Sequence, residues 1–259
     1  MFQSLVRDAA VKLFGLVAAL GLQRFGPFNR LFLAAYGFYK SHVEAGPVDR
    51  LQEFVPPGSL VIDVGANVGF FTLRFAKWVG AQGRVIAIEP EERNCANLKS
   101  ALERAQLAGR VDVRKAVAAA MPGQMLLEIN PLHPADHKLS RDGTGVAVDA
   151  ITLDGLVGEQ GHLLLSLIKI DVQGAEMLVL EGAASILKTA RPALFVELHE
   201  EGLNRFGTSV AAILSHLAGY GYQAYWLKRD GLHVRASAEE IHGAVAQVGY
   251  VDILFRRPA

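Results

Sequence analysis

The sequence predicts an α/β fold: a mostly parallel seven-stranded sheet with an antiparallel C-terminal strand, preceded by an N-terminal helical extension. Three observations carry this. Short apolar runs alternate with segments of helical periodicity, the first run ends in a glycine-rich turn, and the chain closes on strand-like segments around a tight turn. Repeated βα units of this kind put helices on both faces of a parallel sheet.

Residues 60–64 (LVIDV) read as the first buried strand. Val68, Phe71, Phe75 and Val79 follow at helical spacing, with Arg74 and Lys77 on other faces, and residues 80–83 close that helix. Residues 85–88 (VIAI) are the second strand, 91–108 a helix and 111–117 the third strand. Residues 126–129 and 146–151 read as strands around a polar loop, 133–144. The run 163–170 (LLLSLIKI) is a further buried strand ending at Asp171. Residues 175–187 are helical, 193–198 (ALFVEL) form a strand and 210–219 a helix. Residues 222–227, the turn Arg229-Asp230-Gly231 and a final strand at 250–255 predict antiparallel pairing.

Composition bounds the function. Half of the 259 residues are hydrophobic, which gives the chain enough apolar surface for a folded core. Lys and Arg balance Asp and Glu at 26 each, so the basic excess of a phosphate-tracking protein is missing and no nucleic-acid partner is expected. The single cysteine, Cys95, excludes an intrachain disulfide and a cysteine zinc cluster, and it fits the cytoplasm. His133, Asp136 and His137 share one loop without recognisable ligand spacing, so no metal is expected.

Val55-Pro56-Pro57-Gly58 marks a boundary between an extension at 1–54 and a domain at 55–259. Within the extension, residues 13–22 are apolar but about half the length that spans a bilayer. Val6, Ala9, Leu13, Val17 and Leu20 line one helical face, and residues 1–50 carry six basic side chains against three acidic. Such a segment packs over the domain as a lid or makes peripheral contact with the inner face of the membrane. Both readings stay open.

In open α/β sheets, ligands sit at the carboxyl ends of the strands. Asp63 ends the first strand, and Gly65, Ala66, Asn67, Gly69 and Phe70 form the turn into the first helix. Glycines let the backbone approach a ligand, and the helix start offers amide groups beside it. In S-adenosylmethionine, the amino-acid end would lie at this turn with Asp63 orienting its ammonium. Glu89, ending the second strand, is placed to accept hydrogen bonds from both ribose hydroxyls. The alternative is a nucleotide-dependent oxidoreductase, whose fingerprint needs glycine at 67 and 70. Asn67 and Phe70 stand there instead. A non-catalytic membrane-surface or partner-binding protein with the same fold is the other alternative.

Several segments together resemble the FkbM family of methyltransferases. They are Val61-Ile62-Asp63-Val64-Gly65-Ala66-Asn67-Val68-Gly69-Phe70-Phe71 with Thr72, Ala87-Ile88-Glu89-Pro90, Thr152-Leu153-Asp154, Lys169-Ile170-Asp171-Val172-Gln173-Gly174-Ala175-Glu176 and Val196-Glu197-Leu198-His199. Their order and spacing cover roughly 58–256. The resemblance implies a class I methyltransferase (Rossmann-like) fold and S-adenosylmethionine as methyl donor. It also implies a hydroxyl acceptor on a glycan, glycolipid or secondary metabolite. Gln173 departs from the resemblance, which commonly carries an acid there.

Methyl transfer from a sulfonium is mainly alignment, and an alcohol acceptor also needs a base. Asp171, at a strand end beside the Gly174 turn, is the first candidate for the catalytic site and also borders the cofactor. Glu197 and His199 alternate along the next strand and so share one side. Thr152 and Asp154 read as caps of a short helix, and Trp78 and Trp226 as packing residues.

Overall fold

The computed structural model describes residues 48–130, 137–158, 163–227 and 234–258. A 3-10 turn (Asp49–Phe54) precedes β1 (Leu60–Val64), α1 (Phe70–Trp78), β2 (Arg84–Ile88), α2 (Glu92–Arg104), β3 (Val111–Arg114), β4 (Val117–Ala118), β5 (Gly123–Glu128), β6 (Lys138–Leu139) and β7 (Val146–Ile151). Then come α3 (Leu153–Gly158), β8 (Leu165–Ile170), α4 (Glu176–Glu181), α5 (Ala184–Thr189), β9 (Ala193–His199), α6 (Glu200–Arg205), α7 (Val210–Gly219), β10 (Gln223–Trp226), β11 (Val234–Arg235), α8 (Ala238–Val248) and β12 (Tyr250–Arg256).

The main sheet has the order β11-β10-β12-β9-β8-β1-β2-β3. The central run β9-β8-β1-β2-β3 is parallel, and β12 inserts antiparallel between β9 and β10. This is the expected architecture with one strand more. The addition is β11, two residues pairing antiparallel with β10; the turn expected at 229–231 lies outside the described residues. Every residue of β1 is buried because helices cover both faces, so the strand reads as a continuous apolar run broken only by Asp63.

Two expected elements are placed differently. The run 111–117 is not one strand: β3 ends at Arg114, and β4 joins a second sheet of order β4-β7-β5-β6. The helix at 175–187 is two, α4 and α5. A Cβ on Gly182 would stand 2.0 Å from the Ala119 carbonyl oxygen, so the chain passes tightly against the residue after β4 here. Asp154 caps across this break, its carboxylate accepting from the amides of Ser185 and Ile186, while Thr152 Oγ1 accepts from Gly155 at the start of α3. Sequence reading gives α8 no helix, yet it opens with a complete capping box between Ser237 and Glu240.

Val48, Leu51 and Val55 are buried in one hydrophobic cluster with residues of α1, α2 and β2, and Arg74 pairs with Asp49 at 3.2 Å. Residues 48–54 thus pack with the domain they precede. The helical face expected at 6–20 lies outside the described residues, as do residues 1–47 as a whole. Among the described residues, no helix is long and apolar enough to cross a membrane.

Candidate functional site

A cleft opens at the carboxyl ends of β1, β2, β8 and β9. Its wall includes Gly65, Ala66, Asn67 and Phe70 from the turn, Glu89 after β2, and Lys169, Asp171, Gln173 and Glu197 from β8, β9 and the loop between β8 and α4. The second sheet supplies an apolar side through Val117, Ala118, Leu127 and Leu139.

The turn depends on backbone conformations that few residues tolerate. Gly65 has φ 76°, and a Cβ there would stand 1.9 Å from the Asp171 carbonyl oxygen. Asn67 takes φ 50°, a region asparagine enters more readily than most residues, and Gly69 takes φ 98°. The amides of the turn itself, ahead of the helix start at Phe70, are engaged within the fold. Those of Gly65 and Ala66 donate to the Ile88 carbonyl, that of Asn67 to Glu89 Oε2 at 2.8 Å, that of Val68 to Asn67 Oδ1, and that of Gly69 to the Ala66 carbonyl.

Glu89 is oriented from three directions. Beside the Asn67 amide, its Oε1 accepts from the Glu91 amide at 3.0 Å and from Asn94 Nδ2 at 3.3 Å. Burial raises its pKa, and these hydrogen bonds oppose the rise. Cys95 donates its thiol to the Glu89 carbonyl, and burial pushes the thiol up to about 12, so it is an inert packing group.

Asp63 does not line the cleft. It is fully buried beneath the turn, with Oδ2 accepting from Thr72 Oγ1 at 2.6 Å and Oδ1 3.5 Å from Lys169 Nζ. Burial raises its pKa against the pull of Lys169. Its place in the fold is to brace the turn from below.

Lys169 joins the site beyond the candidate residues that the sequence singles out, and it lines the cleft. Its ammonium is buried, donates to the carbonyls of Val64 and Gly65, and stands 3.5 Å from carboxylate oxygens of both Asp63 and Asp171. A lysine in a strand run whose only other polar residue is Ser166 (LSLIKI) is the available signal, because a buried charge needs partners. Asp171 and Glu197 meet in the cleft wall through the side chain of Gln173. His199 is not among the cleft-lining residues; it precedes α6, where its Nδ1 lies near Gly202. His137 does line the cleft, its Nδ1 accepting from the Asn130 amide, which leaves the proton on Nε2.

The loop after Asp171 is held by Glu176. This buried carboxylate accepts from the amides of Val172 and Gly174 through Oε1, and burial pushes it up to about 7. Gly174, at φ 109°, packs so closely on the Gly202 backbone that a Cβ would stand 2.3 Å from its oxygen.

Comparison with known proteins places the chain in a family. The model of the methyltransferase FkbM domain matches residues 63–224, more than half of the chain. "Methyltransferase 1" of Beauveria bassiana is 30% identical over 148 residues, which are 49% of this chain and 59% of that protein. The match thus spans less than two thirds of that relative. "31-O-demethyl-FK506 methyltransferase FkbM" of Streptomyces tacrolimicus is 27% identical over 221 residues, 74% of this chain and 81% of that protein. A methyltransferase FkbM structure from Methylobacillus flagellatus superposes with a TM-score of 0.50 at 18% identity, covering 77% of this chain and 44% of that longer one. That likeness is one of fold. The family match decides against the oxidoreductase alternative: this chain belongs to the methyltransferase FkbM domain family.

Proposed function

We propose that this chain is an S-adenosylmethionine-dependent O-methyltransferase that methylates a hydroxyl group on a small molecule, a glycan or a glycolipid. The observation that carries this reading is the presence of Glu89, Asp171 and Glu197 in one cleft at the strand ends. The cofactor supplies a methyl group on a positively charged sulfur.

The residues present fit that cofactor. Glu89 is held in place by three donors and keeps acceptor capacity for ribose hydroxyls, since a carboxylate offers about four lone-pair sites. Ile88, Pro90 and Ala116 give apolar surface beside it, suited to a purine ring. Asp171 and Glu197 are the groups that accept the acceptor hydroxyl's hydrogen bond and its proton as the oxygen attacks. His199 stands outside the wall and is not one of these groups. Oxygen as the acceptor atom is in keeping with the Streptomyces relative, whose name describes methylation of 31-O-demethyl-FK506.

The test is a screen with S-adenosylmethionine carrying a deuterated methyl group, against hydroxylated small molecules, glycans and glycolipids, read by mass spectrometry. Gain of one labelled methyl on oxygen supports the reading. Transfer confined to nitrogen or carbon acceptors overturns it.

A further inference from the structure

Gln173 joins two acids that are distant in sequence. Its Nε2 donates to Asp171 Oδ1 and to Glu197 Oε2, each at 3.1 Å, so both hydrogens of one amide group are used on carboxylates. The reverse amide orientation would set the carbonyl oxygen against two carboxylates, so the network fixes which atom is nitrogen. The backbone is committed to this placement. Gln173 sits at φ 56°, a left-handed conformation uncommon for a residue with a Cβ, between Val172 and Gly174, whose amides are both held by Glu176.

We infer that Gln173 is a positioning residue that holds Asp171 and Glu197 together as a bridged pair of ionised carboxylates at the reacting end of the cleft. This rests on the reading of the cleft as a hydroxyl-methylating site. An amide does here what an acid cannot: a carboxylate at 173 would lie within hydrogen-bond distance of two others and force a proton between them. Among the described residues, the other ionisable groups around the pair are Lys169 on β8, Asp63 on β1, Glu176 on α4, His199 at the end of β9, Asp252 paired across from Glu197 on β12, and His137 in the cleft wall.

The test uses the full chain with 13C-labelled Asp and Glu carboxyls, followed by NMR against pH. Asp171→Asn and Glu197→Gln assign the two signals, and calorimetry with S-adenosylmethionine runs alongside. In Gln173→Leu, which removes both hydrogen bonds at similar volume, both midpoints rise by roughly half a pH unit or more. In Gln173→Glu, one carboxyl of the resulting trio keeps its proton at least about one pH unit higher than either member of the wild-type pair. Midpoints in Gln173→Leu that match wild type overturn the inference, because a purely structural turn residue would leave them in place. Should Gln173→Leu fail to fold, Gln173→Glu decides by the same measurement. Loss of S-adenosylmethionine binding by the wild-type chain would strike instead at the methyltransferase reading, so the two failures are distinguishable.

Discussion

Lys169 brings its ammonium within 3.5 Å of Asp63 Oδ1, and both side chains are buried beneath the cofactor turn. Among the described residues, Oδ1 receives no hydrogen bond, so the lysine is what compensates that atom's charge. Breaking a buried pair from one side typically costs about 3–5 kcal/mol, because the remaining charge is stranded. Lys169→Met is expected to destabilise the chain by about that much in urea denaturation. The double variant Asp63→Asn/Lys169→Met is expected to lose clearly less than the sum of the single losses. Additive losses would mean that the two residues act separately.

Gly65→Ala tests the contact between the turn and β8. The added methyl meets the Asp171 carbonyl at 1.9 Å while the backbone holds φ 76°. Overpacking of this kind costs about 1–3 kcal/mol. The expected outcome is a folded but less stable chain whose affinity for S-adenosylmethionine falls by roughly tenfold or more, about 1.4 kcal/mol or above. Calorimetry and thermal unfolding check the two effects separately.

Glu176 gives the fold a pH dependence of definite sign. Burial pushes its carboxyl from an ordinary 4.5 to about 7, so the folded chain holds this proton where the unfolded chain releases it. The resulting stability is fully present below pH 4.5 and is lost as pH rises through about 7, roughly 3 kcal/mol in all by linkage. In Glu176→Gln the amide oxygen can still accept from Val172 and Gly174, but this proton is gone. The fall in wild-type stability between those pH values, relative to the variant, is the expected result in urea denaturation at a series of pH values. Parallel curves would contradict it.

The parts of this fold legible in sequence are those in which one periodicity runs uninterrupted. β1, β2, β8 and β9 are apolar runs buried on both faces, and β1 and β2 carry the turn and Glu89 at their ends. The second sheet is much less legible. β4 and β6 are two residues each, too short to show a period, yet they bring Val117, Ala118 and Leu139 to the cleft. Side-chain direction is also hidden. Asp63 ends its strand as a ligand-facing acid would, but Thr72 and Lys169 hold it inside; Glu197 and His199 share a strand face, yet only Glu197 reaches the cleft wall. The cap on α5 was recoverable in type but not in target, since Asp154 serves a helix more than thirty residues away. By contrast, Ser237 and Glu240 carried a readable helix start.

The cleft formed by the Gly65–Gly69 turn, Glu89 and Asp171 is expected to bind S-adenosylmethionine. Isothermal titration of the full chain with S-adenosylmethionine, repeated on Glu89→Ala, tests it most directly. One binding site per chain is expected in the wild type and, for Glu89→Ala, affinity weaker by about tenfold to a hundredfold, since hydrogen bonds to a charged acceptor are worth about 1.5–3 kcal/mol. No binding by the wild type, or equal affinity in both proteins, would contradict it.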